Sequence, residues 1–152
     1  MDIVLNLNKG MTLDLSLAGD TKFTFGLGWE AAPVNGEDID LDVSAFMLQG
    51  TGAMKLQAME HAIFFNNMSS SCGSVKLSGD SRDGKNGDID EEVFVDVTKI
   101  PENVNAVAIY INIFKPAITF SKVQKAKAVV SNQDGKVLAR FDMSSQLTDE
   151  NS

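Results

Sequence analysis

The residues in this chain best suited to chemistry are oxygen donors. Residues 79–92 read GDSRDGKNGDIDEE, with Asp80, Asp83, Asp88, Asp90, Glu91 and Glu92 set among three glycines. From Ser78 to Asp96 there are seven acids against Arg82 and Lys85, a local balance of −5. A second acidic cluster, Glu37, Asp38, Asp40 and Asp42, lies in GEDIDLD, and a neutral pair, Asn66 and Asn67, closes the run AIFFNN. Calcium takes about six to eight oxygens from carboxylates, amides and backbone carbonyls in a flexible shell, and glycines let a loop turn its carbonyls inward. Magnesium demands tighter octahedral geometry and retains water, so a cage made of loops favours calcium. The spacing is not that of an EF-hand, because a register starting at Asp80 puts Arg82 and Gly84 where ligands belong. The residues alone therefore leave two readings open, a solvated acidic face and a calcium cage.

Other chemistries find little support. His61 is the only histidine, and no serine stands in a G-x-S-x-G context, so a Ser-His-Asp triad has no clear members. The single cysteine, Cys72, sits in SSSCGS and reads as a bystander thiol in a turn. One histidine and one cysteine would force a zinc site to lean on carboxylates. The glycines of GLG at 26–28 lack the third glycine and following helix of a dinucleotide site, and there is no Walker-type GKS or GKT. Trp29 is expected in the core. The residues thus point to a protein that is not an enzyme.

The elements that must position these residues are strands. The chain has 152 residues, 43 % hydrophobic and 22 % charged, which suits one soluble globular domain. A domain over 1–146 is expected, with a polar tail at 147–152. The net charge of −8 excludes the basic footprint of a nucleic-acid binder. The N-terminus lacks a basic n-region and long apolar run, and no stretch approaches a membrane-spanning helix, so a cytoplasmic location is expected. Apolar residues alternate with a period of two: Ile3, Leu5 and Leu7; Leu13, Leu15 and Leu17; Phe23, Phe25 and Leu27; Leu41, Val43, Ala45 and Met47. HAIFFNN, GSVKL, EEVFVDV, NAVAIYINIF, KAKAVVSN and KVLARFDM continue the series. Around ten short strands separated by Gly, Asn, Asp and Pro turns predict an all-β antiparallel sandwich. TGAMKLQAME is left as one helical turn or a loop.

Several blocks occur in an order that resembles one family. FGLGWE (25–30), IDLDVSAFML (39–48), FFNN (64–67), GDSRDGKNGDIDE (79–91), FSKVQKAKAVV (120–130) and GKVLARFDMS (135–144) look like the blocks of the TerD-type tellurite-resistance and stress proteins. The resemblance spans roughly Leu5 to Ser144. It implies a β-sandwich with calcium-binding loops at one end, no catalytic activity, and a bacterial stress role alongside other tellurite-resistance proteins. On the family's motifs, Asp40 and Asp42 fall on the two acids of FDLD, and Asn66 and Asn67 on the NN pair. Asp80 falls on the acid of GDN, and Asp90 with Glu91 on the end of DDE. Ile89 replaces the first acid of DDE and Asp88 stands where the family has glycine, so one carboxylate is displaced by a residue. The implied metal set is Asp40, Asp42, Asn66, Asn67, Asp80, Asp88, Asp90 and Glu91, with Ca2+ as the cofactor. Members usually continue for several tens of residues past the block matched by 135–144, so an open sheet edge, inviting dimerisation or docking, is a further expectation. The alternative is a calcium-dependent membrane- or protein-docking sandwich with no tellurite role. It ranks second because the loops lack exposed aromatic or basic residues to insert or clamp.

Overall fold

The computed structural model describes residues 5–6, 19–31, 41–50, 55–56, 61–78, 91–113 and 123–142. These form ten strands: β1 Leu5–Asn6, β2 Lys22–Ala31, β3 Leu41–Gln49, β4 Lys55–Leu56, β5 Ala62–Ile63, β6 Val75–Leu77, β7 Glu91–Asp96, β8 Ala106–Ile113, β9 Val123–Asn132 and β10 Val137–Asp142. No α-helix occurs among the described residues. One sheet has six strands in the order β1-β10-β9-β2-β7-β6. In the other, β8 runs along one side of β3 and the short β4 and β5 share the opposite side.

The alternation of apolar residues decides which faces meet. In β3, Leu41, Val43, Ala45 and Met47 are buried while the residues between them are half-exposed. In β7, Glu91, Val93 and Val95 face inward. The apolar ones among these join Phe23, Leu27, Trp29, Ile63, Val75, Ile113, Ala126 and Ala128 in one core drawn from both sheets. A buried aliphatic side chain contributes about 1.5–3 kcal/mol, so Leu27, Leu41, Met47, Ile63, Val75 and Val93, all fully buried, carry much of the stability. Trp29 fills the core as its type predicts.

The all-β sandwich is as the sequence implies, with differences in detail. β1 pairs with β10 in parallel, whereas the other described pairs are antiparallel. The segment left as a helical turn or loop contains β4, which pairs antiparallel with Leu48 and Gln49. Only Ala62–Ile63 of HAIFFNN is strand. The chain then folds back tightly, Phe64 N–H donating to Asn67 O (3.1 Å) and Asn67 N–H to Phe64 O (2.8 Å). The strand expected around Leu13, Leu15 and Leu17, and the tail at 147–152, lie outside the described residues.

Candidate metal centre

Strand registers bring the strand ends that flank the oxygen-rich segments to one end of the sandwich. β2 runs out and β7 starts there, with Leu27 opposite Glu91. β6 ends there, with Leu77 opposite Val93, and β3 starts there, with Leu41 opposite Ile113. The Phe64–Asn67 turn follows β5 at the same end, because β5 runs antiparallel to β3 and leaves it towards Asp42.

Two sets of hydrogen bonds fix this end. Ser78 N–H donates to Glu92 O and Glu92 N–H to Ser78 Oγ, both at 2.9 Å. The acidic stretch is therefore pinned across its base. Next to it, Val43 N–H donates to Glu91 Oε2 at 3.2 Å. Glu91 belongs to one sheet and Val43 to the other, so this bond ties the two layers together at the start of β3. Glu91 is only 4 % exposed. A buried carboxylate is costly unless hydrogen bonds and a nearby positive charge offset its lost hydration.

Of the eight implied ligands, four are described. Glu91 points into the core side of β7. Asp42 is half-buried on the face of β3 opposite Leu41 and Val43, across from Asn112. Glu91, on β7, thus meets the inner face of β3 whereas Asp42 lies on the outer face of β3, and strand alternation is the reason. Asn66 is exposed and Asn67 half-buried. Asn67 Nδ2 donates to Ala62 O at 2.9 Å, and of its two amide atoms the oxygen is the one with ligand chemistry. Asp40, Asp80, Asp88 and Asp90 lie outside the described residues, although Asp40 directly precedes Leu41 and Asp90 directly precedes Glu91. Among the described residues, no group of three or more His, Cys, Asp or Glu side chains converges on one point. Carboxylates, amide oxygens and backbone carbonyls are the donor set calcium takes, so the chemistry of this end fits that ion.

The chain matches the TerD domain family over residues 3–152. It is a member of the TerD family. This TerD-domain chain is 32 % identical to the tellurium resistance protein TerD of Serratia marcescens, over 96 % of its own length and 78 % of that protein's. It is 30 % identical to general stress protein 16U of Bacillus subtilis (strain 168), over 97 % and 79 % of the two chains. The TerD fold is shared with a solved homologue of telluride resistance protein from Streptomyces coelicolor A3(2). There the TM-score is 0.64 at 20 % identity, covering 80 % of this chain and 71 % of that one. A second solved structure, of a protein of unknown function, gives a TM-score of 0.70 at 22 % identity over 85 % and 75 %.

Two features of this TerD protein escaped the sequence reading. Phe65, at the tip of the Phe64–Asn67 turn, is 68 % exposed and stands edge-on to Phe64 with ring centroids 5.5 Å apart. The second feature is a ring of hydroxyls around Cys72 at the other end of β6. Its Sγ lies 3.0 Å from Ser74 Oγ and 3.5 Å from Ser70 Oγ. Burial pushes the thiol pKa up, but hydrogen bonds from Ser70, Ser74 and the backbone outweigh it, and the value falls below that of an ordinary thiol. Serines two residues before and two after the cysteine in SSSCGS were the available signal.

Proposed function

We propose that this TerD-family chain is a calcium-binding stress and tellurite-resistance protein without catalytic activity. Its acidic connections would order around Ca2+ and present one end of the sandwich to other tellurite-resistance proteins. Asp40, Asp42, Asn66, Asn67, Asp80, Asp88, Asp90 and Glu91 would supply the ligands. The observation that carries this reading is the pinned base of the acidic stretch beside the buried Glu91 carboxylate, at the strand ends that also carry Asp42 and the Asn66–Asn67 pair. Without a cation, clustered carboxylates raise one another's pKa and drive the segments apart. A cation offsets that repulsion and stabilises by RT ln(1 + [L]/Kd), about 2.7 kcal/mol at 100 times Kd.

Titration calorimetry with calcium, and melting with and without chelator, test the reading. The expected result is a binding heat and a rise in midpoint of about 5–11 °C at saturating calcium. No heat and no shift at millimolar calcium would refute it.

The exposure of Phe65 favours a second reading. It puts an aromatic ring at the candidate metal end, where the sequence reading placed none. A calcium-dependent docking module would use this ring to insert into a membrane or a partner once the cation has offset the surrounding acids. Calcium-dependent co-sedimentation with anionic vesicles, abolished in Phe65→Ser, separates this reading from the first. Among the described residues no helix is long and apolar enough to cross a membrane.

A further inference from the structure

We propose that the outer face of the β9–β10 hairpin binds a small phosphate monoester. A cleft of about 410 Å³ lies on this hairpin, and Lys127, Val129, Val137, Arg140 and Asp142 are among the residues that line it. Clefts of about 300–1,000 Å³ suit small ligands. Alternation places the side chains. Ala126, Ala128 and Ala139 are buried on the inner face, whereas Lys127, Arg140 and Asp142 are exposed. Val129 lies opposite Arg140 and Lys127 opposite Asp142, and directly opposed residues share a face. The register shifts between Val137 and Ala139, where β10 carries an extra residue. That bulge sets Val137 on the outer face, opposite Ser131, while Leu138 packs on the core. Two valines therefore share a face with two cations and one carboxylate.

The charge of this hairpin runs against that of the chain. Residues 123–142 hold four bases (Lys125, Lys127, Lys136, Arg140) against two acids (Asp134, Asp142), a balance of +2. The remaining residues, with nine bases and nineteen acids, come to −10. Arg140 and Lys127 are diagonal neighbours across the two strands, about 7–8 Å apart at the backbone. A phosphate group fits between side chains of that length. The guanidinium takes two of its oxygens as a fork, and the ammonium takes a third as a point charge. Val129 and Val137 give an apolar wall for the organic part of an ester. Asp142 limits the charge that the cleft accepts. With its carboxylate opposite Lys127, the charged side chains of the lining sum to +1, which suits a single phosphate. The field of the rest of the chain repels a polyanion such as a nucleic acid. None of these residues belongs to the candidate metal centre, so the site is tested without calcium.

NMR titration of the isotope-labelled full chain with phenyl phosphate, in chelator, tests this. Saturable shifts centred on the amides of 127–129 and 137–142 are expected, with a dissociation constant in about the millimolar range for a ligand of this size. Arg140→Gln should weaken binding at least about tenfold while the melting midpoint stays that of the parent. Asp142→Asn should strengthen binding, because the lining loses its one negative charge. Inorganic phosphate should bind more weakly than the ester, since it leaves the valine wall uncovered. Vesicles of phosphatidylcholine and phosphatidic acid, also in chelator, separate a soluble ester from a lipid headgroup, and the protein should stay in the supernatant. The absence of saturable shifts up to about 20 mM ester would overturn the proposal. So would an affinity unmoved by Arg140→Gln or by Asp142→Asn, inorganic phosphate bound as tightly as the ester, or sedimentation with the vesicles without binding of the soluble ester.

Discussion

Glu91→Ala removes the one described side-chain hydrogen bond that links β7 to β3 across the sandwich. Val43 N–H would lose a charged, buried acceptor, worth about 1.5–3 kcal/mol. One buried methylene, Cγ, would go with it, about 0.8 kcal/mol. Against this, the variant no longer buries a carboxylate, which returns part of the loss. The net is a destabilisation of about 1.5–3.5 kcal/mol, or about 3–14 °C in the midpoint for a domain of this length. Glu91→Gln keeps the size and one acceptor oxygen, and should cost only about 0.5–1.5 kcal/mol. Both variants are melted in chelator, where no metal contributes. The clamp is refuted if Glu91→Ala melts within about 2 °C of the parent, or if Glu91→Gln is as damaging as Glu91→Ala. Repeating the series in calcium then separates the clamp from a ligand role. If Glu91 also binds the ion, Glu91→Gln loses much of the calcium-dependent rise in midpoint while remaining close to the parent in chelator.

Leu27→Ala empties a fully buried site and should cost about 2–5 kcal/mol in urea unfolding with an unchanged slope. Asn132→Ala strips the β9–β10 turn of an acceptor that takes both Asp134 N–H (3.0 Å) and Lys136 N–H (2.9 Å), and should cost about 1–3 kcal/mol by the same measurement. Cys72 should alkylate with iodoacetamide at a lower pH than an ordinary thiol, and Ser74→Ala should move that midpoint upward; an unchanged midpoint would show that the hydroxyl ring has no hold on the thiolate. Hydrogen bonds from Thr98 lower the Asp96 pKa, helped by Lys22 and Lys99. Its contribution is therefore fully present above the unfolded value and lost as pH falls through the lowered folded value. Thr98→Val should raise the Asp96 midpoint in an NMR titration.

The strands were legible where alternation was strict. In β3 the period of two predicts every buried residue from Leu41 to Met47. It was less informative where a strand depends on a partner. β4 is two residues held by Leu48 and Gln49, and nothing local in TGAMKLQAME marks it. The parallel pairing of β1 with β10 joins residues more than 130 positions apart, beyond the reach of any local pattern. At the candidate site, residue types left a solvated acidic face and a calcium cage both open, and did not say which way each carboxylate points. For Glu91 a signal existed, because Glu91, Val93 and Val95 share a parity and so share the inward face. The exposure of Phe65 had the opposite problem. An apolar run ending FFNN reads as a strand that buries its rings, until the backbone closes on itself at Phe64 and Asn67.

Pinning Ser78 to Glu92 has a consequence for how this protein can change. The thirteen residues between those pins, 79–91, end on a fixed base, with Glu91 held as the last of them. Lengthening a closed loop is cheap, about 0.6 kcal/mol for a doubling. Insertions and substitutions at 79–90, short of Glu91, should therefore leave the sandwich nearly untouched while altering the number and placement of oxygens that the segment carries. Shifts such as the carboxylate at Asp88 and the isoleucine at Ile89 are the kind such a base tolerates. On the proposed calcium reading, ion preference would drift in this segment while the fold beneath it stays the same.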